Sequence, residues 1–128
     1  MTVGLLIVTH ESIGTSLLES ALAITGSSPL PVKTLSVSSS SDPERLRLDA
    51  TSLSSELDDG EGVLVLTDMY GSTPSNIATS LYQKGRVAVI AGINLPMLLK
   101  VFNYAGLDLE GIKQKALAGA RACIIDCS

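Results

Sequence analysis

Val3-Gly4-Leu5-Leu6-Ile7-Val8-Thr9-His10 opens the chain with an almost unbroken apolar run that closes on the only histidine among 128 residues. A strand with one wet face alternates apolar and polar side chains; a run apolar at nearly every position is the pattern of a strand covered on both faces. Gly62-Val63-Leu64-Val65-Leu66-Thr67-Asp68 repeats that pattern and closes on an acid. Residues 32–37 and 86–91 read as two further strands.

Helical patterns fill the intervals. Over residues 12–25, Ile13, Leu17, Leu18, Ala21 and Leu22 recur at helical spacing, and Gly26 is placed to stop the helix. Asp42-Pro43 is an N-cap followed by a proline suited to the first turn, with Leu46, Ala50, Leu53 and Leu57 on one face and Asp58-Asp59-Gly60 as the close. Thr73-Pro74 repeats the cap-then-proline signal and is expected to start a helix ending near Lys84-Gly85. Residues 95–104 and 108–121 read as helices, and residues 122–126 as a last short strand. The serine tract at 38–41 reads as a loop.

Strict alternation of strands and helices predicts an α/β doubly wound, mainly parallel sheet with helices on both faces, forming one domain over residues 1–128. Right-handed crossovers favour the order 2-1-3-4, with the terminal strand added. In that order strands 1 and 3 are neighbours and the winding reverses between them. Ligands of such sheets bind at the carboxyl ends of the strands, at this switch point.

Bulk properties narrow the function. Net charge is −4 and the pI about 4.8, with no basic patch, which argues against nucleic acid and anionic membrane as partners. Mean hydropathy is +0.37, yet the longest stretch without a charged side chain is residues 69–83, broken by Gly71, Pro74 and Asn76. It cannot span a bilayer as a helix. With neither a basic leader nor a small-residue cleavage site, a cytoplasmic protein is expected. Cys123 and Cys127 lack the spacing of a zinc knuckle or redox pair and read as reduced thiols on the terminal strand.

The predicted switch point joins His10 to Asp68, 58 positions apart. A carboxylate that accepts from imidazole Nδ1–H fixes the tautomer and leaves the Nε2 lone pair as a nucleophile. It also stabilises the cationic ring that forms when Nε2 attacks phosphorus. Glu11-Ser12-Ile13-Gly14 follows His10 and opens a helix; Met69-Tyr70-Gly71-Ser72-Thr73-Pro74 follows Asp68 and opens another. Helix N-termini attract anions, and Ser12, Gly71, Ser72 and Thr73 offer a phosphoryl cradle of hydroxyl and N–H donors. Neither loop carries Arg or Lys, which suits a group held loosely. There is no G-x-x-x-x-G-K-[ST], no G-x-G-x-x-G and no second His for a metal cluster. The chemistry calls for no metal or organic cofactor.

Three segments carry a family likeness: Ile7-Val8-Thr9-His10, the run from Leu64 through Asp68 to Asn76, and Gly92-Ile93-Asn94-Leu95-Pro96-Met97-Leu98. Together they resemble, over essentially the whole chain, the enzyme IIA domain of the mannose family in the bacterial phosphoenolpyruvate:sugar phosphotransferase system. The resemblance implies a phosphohistidine at His10 charged by phospho-HPr, and a IIB domain or a regulatory target as acceptor. Asp68 is the implied partner of the ring and Thr73 the implied hydroxyl near the phosphoryl group. It further implies a homodimer whose terminal strand pairs with or crosses to the other subunit, and contact with membranes only through a transporter complex. Glu11 stands where the family commonly has Gly after the active His, and Ser72 replaces the second Gly of a Gly-Gly pair. Glu11 thereby puts a negative charge beside the expected phosphoryl site.

Other readings keep the same fold. A regulatory binding protein would never be phosphorylated on His10. The phosphotransferase subunit of dihydroxyacetone kinase has a His at this place, but the Gly71–Pro74 loop and the 92–97 segment look more like the sugar-system IIA. A response-regulator receiver needs an acidic pair after strand 1 and a late-strand Lys, which Thr9-His10-Glu11 and residues 122–126 do not supply. A hydrolase would need a G-x-S-x-G elbow, which is absent.

Overall fold

The computed structural model describes residues 1–128. Its elements are β1 Gly4–His10, α1 Ile13–Thr25, β2 Val32–Val37, α2 Pro43–Leu57, β3 Val63–Thr67, α3 Thr73–Thr79, β4 Val87–Ala91, α4 Leu95–Asn103 and α5 Leu109–Ala122. The four strands form a parallel sheet in the order β2-β1-β3-β4, as the alternation predicts.

Two cores explain the uniformly apolar strands. Leu5 and Ile7 of β1 and Leu64 and Leu66 of β3 pack with α1, α4 and α5 on one face. Leu6, Val8, Val63 and Val65 point the other way and pack with α2 and α3. Neighbouring residues of one strand thus serve opposite cores, so no position is free to be polar until the strand ends. Pairing sets Val8 opposite Thr67 and His10 opposite Val37, which brings the exits of β1, β2 and β3 together.

Two expectations are corrected. The terminal strand over residues 122–126 is not formed: α5 runs to Ala122, Cys123 caps it, and Ile124 and Ile125 are exposed. A strand requires a neighbour to bond to, and within this chain the sheet ends at β4. Both thiols are free and lie outside any strand. Helix α3 stops at Thr79, short of Lys84. The Thr79 and Ser80 hydroxyls donate to the carbonyls of Ser75 and Ile77, at 2.7 and 2.6 Å, and Gln83 pairs back with Val87. Side-chain hydroxyls competing for helix carbonyls, followed by that bridge, turn the chain into β4. No helix is long and apolar enough to cross a membrane.

Candidate active site

His10 is the last residue of β1, and Asp68 directly follows β3. Asp68 Oδ2 accepts from the His10 backbone N–H at 2.9 Å and lies 2.8 Å from His10 Nδ1. Its other oxygen, Oδ1, accepts from the Met69 N–H at 2.9 Å. Burial alone would push the Asp68 carboxyl up; the His10 N–H, the His10 ring and the Met69 N–H outweigh it and hold the group below the ordinary carboxylate range. An ionised carboxylate only accepts, so the bond to Asp68 selects the tautomer of the neutral ring that carries its proton on Nδ1 and its lone pair on Nε2. The His10 side chain is 40% exposed against 13% for Asp68, so the ring is more open to solvent than its anchor.

The backbone beneath the ring is fixed by small-residue packing. Thr9, buried and facing α1, accepts the Gly14 N–H on its Oγ1 at 2.8 Å. This bond, and not the Ser12 side chain, caps α1. A Cβ on Gly14 would lie 2.7 Å from Ile7 Cγ2 and 2.9 Å from Thr9 Oγ1, so only glycine permits the approach.

His10 opens onto a depression of about 350 Å³ whose wall includes Glu11, Thr73 and Pro74 at the start of α3, and Pro43 at the start of α2. The positive ends of two helices therefore border it. Of the predicted cradle, Thr73 lies on this wall. Ser12 does not line it; it is the N-cap residue of α1. Gly71 and Ser72 also stand outside the wall, and their donors are used within the loop. The Gly71 N–H donates to Ser75 Oγ at 3.3 Å, and Ser72 Oγ donates to Met69 O at 2.6 Å while accepting from the Ser75 N–H. Gly71 takes φ +86°, the left-handed conformation that this turn into α3 requires.

Ser38, Ser39 and Ser41 of the serine tract form the opposite wall, where the sequence suggested only a plain loop. The signal was available: order 2-1-3-4 puts the exit of β2 beside that of β1, so whatever follows Val37 must stand next to whatever follows His10. A larger depression, about 480 Å³, lies at the amino ends of β3 and β4 against α5, remote from the histidine.

Fold and site define a class: small doubly wound domains that present a carboxylate-anchored histidine at the switch point of a parallel sheet. Residues 4–117 match the family model described as PTS system fructose IIA component, and the chain belongs to that phosphotransferase-system IIA family. It is 46% identical over 44 residues to the putative phosphotransferase enzyme IIA component YadI of Escherichia coli (strain K12), a match spanning 34% of this chain and 30% of that protein. The crystal structure of phosphotransferase system component EIIA from Streptococcus agalactiae superposes with TM-score 0.82 at 25% identity, covering 97% of this chain and 96% of that one. The mannose/sorbose specific IIA subunit from Enterococcus faecalis shares the fold with TM-score 0.87 at 19% identity, covering 100% and 96%.

Proposed function

We propose that this chain is a phosphoryl carrier whose nucleophile is His10 Nε2. The observation that carries the reading is the double hold of Asp68 Oδ2 on one residue, ring and backbone together. The Nε2 lone pair forms a bond to the phosphorus of phospho-HPr. The donor's N–P bond breaks, and its ring leaves with that electron pair as neutral imidazole. Nδ1–H stays in place, and Asp68 stabilises the ring as it becomes cationic. Thr73 and the starts of α2 and α3 face the incoming group; Ser12, Gly71 and Ser72 shape the loops that hold them. The reverse sequence delivers the group to a histidine of a IIB domain or to a regulatory target.

The working unit in this reading is a homodimer. Ile124 and Ile125 are exposed on a terminal segment with no partner in its own chain, and β4 is a sheet edge. The test uses the purified chain with enzyme I, HPr and phosphoenolpyruvate, read by intact mass. One acid-labile phosphoryl group is expected, lost in His10→Ala. Charged HPr beside an unmodified chain would leave a binding-only regulator.

A further inference from the structure

Glu11 is the one residue other than glycine held in the left-handed backbone region, at φ +44°. A side chain with a Cβ resists that conformation, and such outliers persist where the surroundings over-determine them, often beside functional sites. Here the Glu11 N–H donates to Val37 O at 2.9 Å, so the pairing of β1 with β2 holds the strained residue in place. Glu11 lines the same depression as His10 and Thr73, and apart from His10 and Glu11 every lining residue is uncharged. None of the ion pairs of the chain engages it. A negative charge therefore stands in the wall of the depression that His10 lines, with no Lys or Arg there to offset it.

Building on the carrier reading, we propose that Glu11 sets the phosphoryl-transfer potential of His10. While His10 is unmodified, no phosphoryl charge opposes the carboxylate. Facing phosphohistidine, it meets a dianionic group across an open depression. The repulsion exists in one state only, so it raises the energy of the phosphorylated form and drives the group onward. Asp68 acts in the opposite sense through Nδ1, stabilising the imidazolium. The two carboxylates thus have complementary roles. Asp68 makes the nucleophile, and Glu11 keeps its product from becoming a resting state. Because Glu11 is exposed, its effect is screened by salt.

The experiment measures the equilibrium of phosphoryl exchange between phospho-HPr and wild type, Glu11→Gln, Glu11→Gly and Glu11→Asp, each at about 20 mM and about 500 mM salt, conditions that bracket strong and weak screening. Gln and Gly are expected to shift the equilibrium towards phosphorylated His10 by about fivefold at low salt, with the gap closing at high salt. Asp keeps the charge and is expected to keep the salt dependence. A shift in Gly but not in Gln would assign the effect to backbone strain and overturn the proposal. Equal equilibria in all four proteins would overturn it as well, leaving the carrier reading intact. No phosphoryl on any of the four beside charged HPr would overturn the carrier reading itself, and this inference with it.

Discussion

Asp68 Oδ2 binds His10 twice, accepting its backbone N–H at 2.9 Å and sitting 2.8 Å from its Nδ1. One oxygen thereby fixes both the end of β1 and the rotation of the ring that β1 presents. Asp68→Asn keeps the size of the side chain but removes the charge that, in the proposed carrier chemistry, stabilises the ring cation. Phosphoryl acceptance is expected to slow by about 10²- to 10⁴-fold. Rapid-quench measurement from phospho-HPr checks this, with circular dichroism to show the fold retained.

The same pair makes stability depend on pH. The Asp68 carboxyl is depressed in the folded state, despite the opposing push of burial, by its three hydrogen bonds. A depressed carboxylate contributes stability that is fully present above its unfolded pKa, about 3.9, and is lost as pH falls through the lower folded value. In urea unfolding, wild type is expected to exceed Asp68→Asn by about 1–3 kcal/mol at pH 7, and the difference to vanish in strong acid. A gap that persisted undiminished at pH 2 would count against this linkage.

Gly14 and Thr9 lock α1 onto the end of β1. Gly14→Ala forces its new methyl against Ile7 and the Thr9 hydroxyl, and is expected to cost about 1–3 kcal/mol. Thr9→Val keeps the shape and loses the cap, for about 1 kcal/mol. The two changes share one contact, so the double variant should cost less than their sum in thermal unfolding.

Ser72 and Thr73 are adjacent but have different duties. Ser72 caps α3 and bonds Met69 O, so Ser72→Ala is expected to lower stability by about 0.5–2 kcal/mol. Thr73 takes no part in the loop's hydrogen bonds at Gly71 and Ser72 and lines the depression. Thr73→Val is expected to leave the melting temperature nearly unchanged and to slow phosphoryl acceptance about tenfold, the loss of one hydrogen-bond donor. Parallel melting and transfer assays separate the two roles.

Thr67, directly before Asp68, is fully buried and its Oγ1 has no hydrogen-bond partner. Replacing the hydroxyl by a methyl of nearly the same volume removes that desolvation cost. Thr67→Val is expected to raise stability by about 1 kcal/mol in denaturant titration. A loss of stability would show that the hydroxyl is satisfied in solution.

The sequence by itself determined the architecture. Runs such as Leu5–Val8 and Val63–Leu66 are apolar at every step, and only burial on both faces accounts for that; strand order and the meeting of His10 with Asp68 followed from handedness and alternation. The capping signal at Asp42-Pro43 marked the start of α2 because it is local chemistry; at Thr73-Pro74 the helix start was legible, but the cap is Ser72, one residue earlier than expected. What local chemistry does not encode, only the tertiary structure decided. Helix α3 ends at Thr79 because Gln83 pairs with Val87, and residues 124–128 form no strand because a strand needs a neighbour's backbone. Thr9, and not Ser12, caps α1 because the sheet carries its hydroxyl to the Gly14 N–H. The serine tract became a wall of the site because His10 pairs opposite Val37. Periodicity records which face of an element is buried; which atom stands beside which depends on contacts between segments distant in sequence, and those are made only when the chain closes.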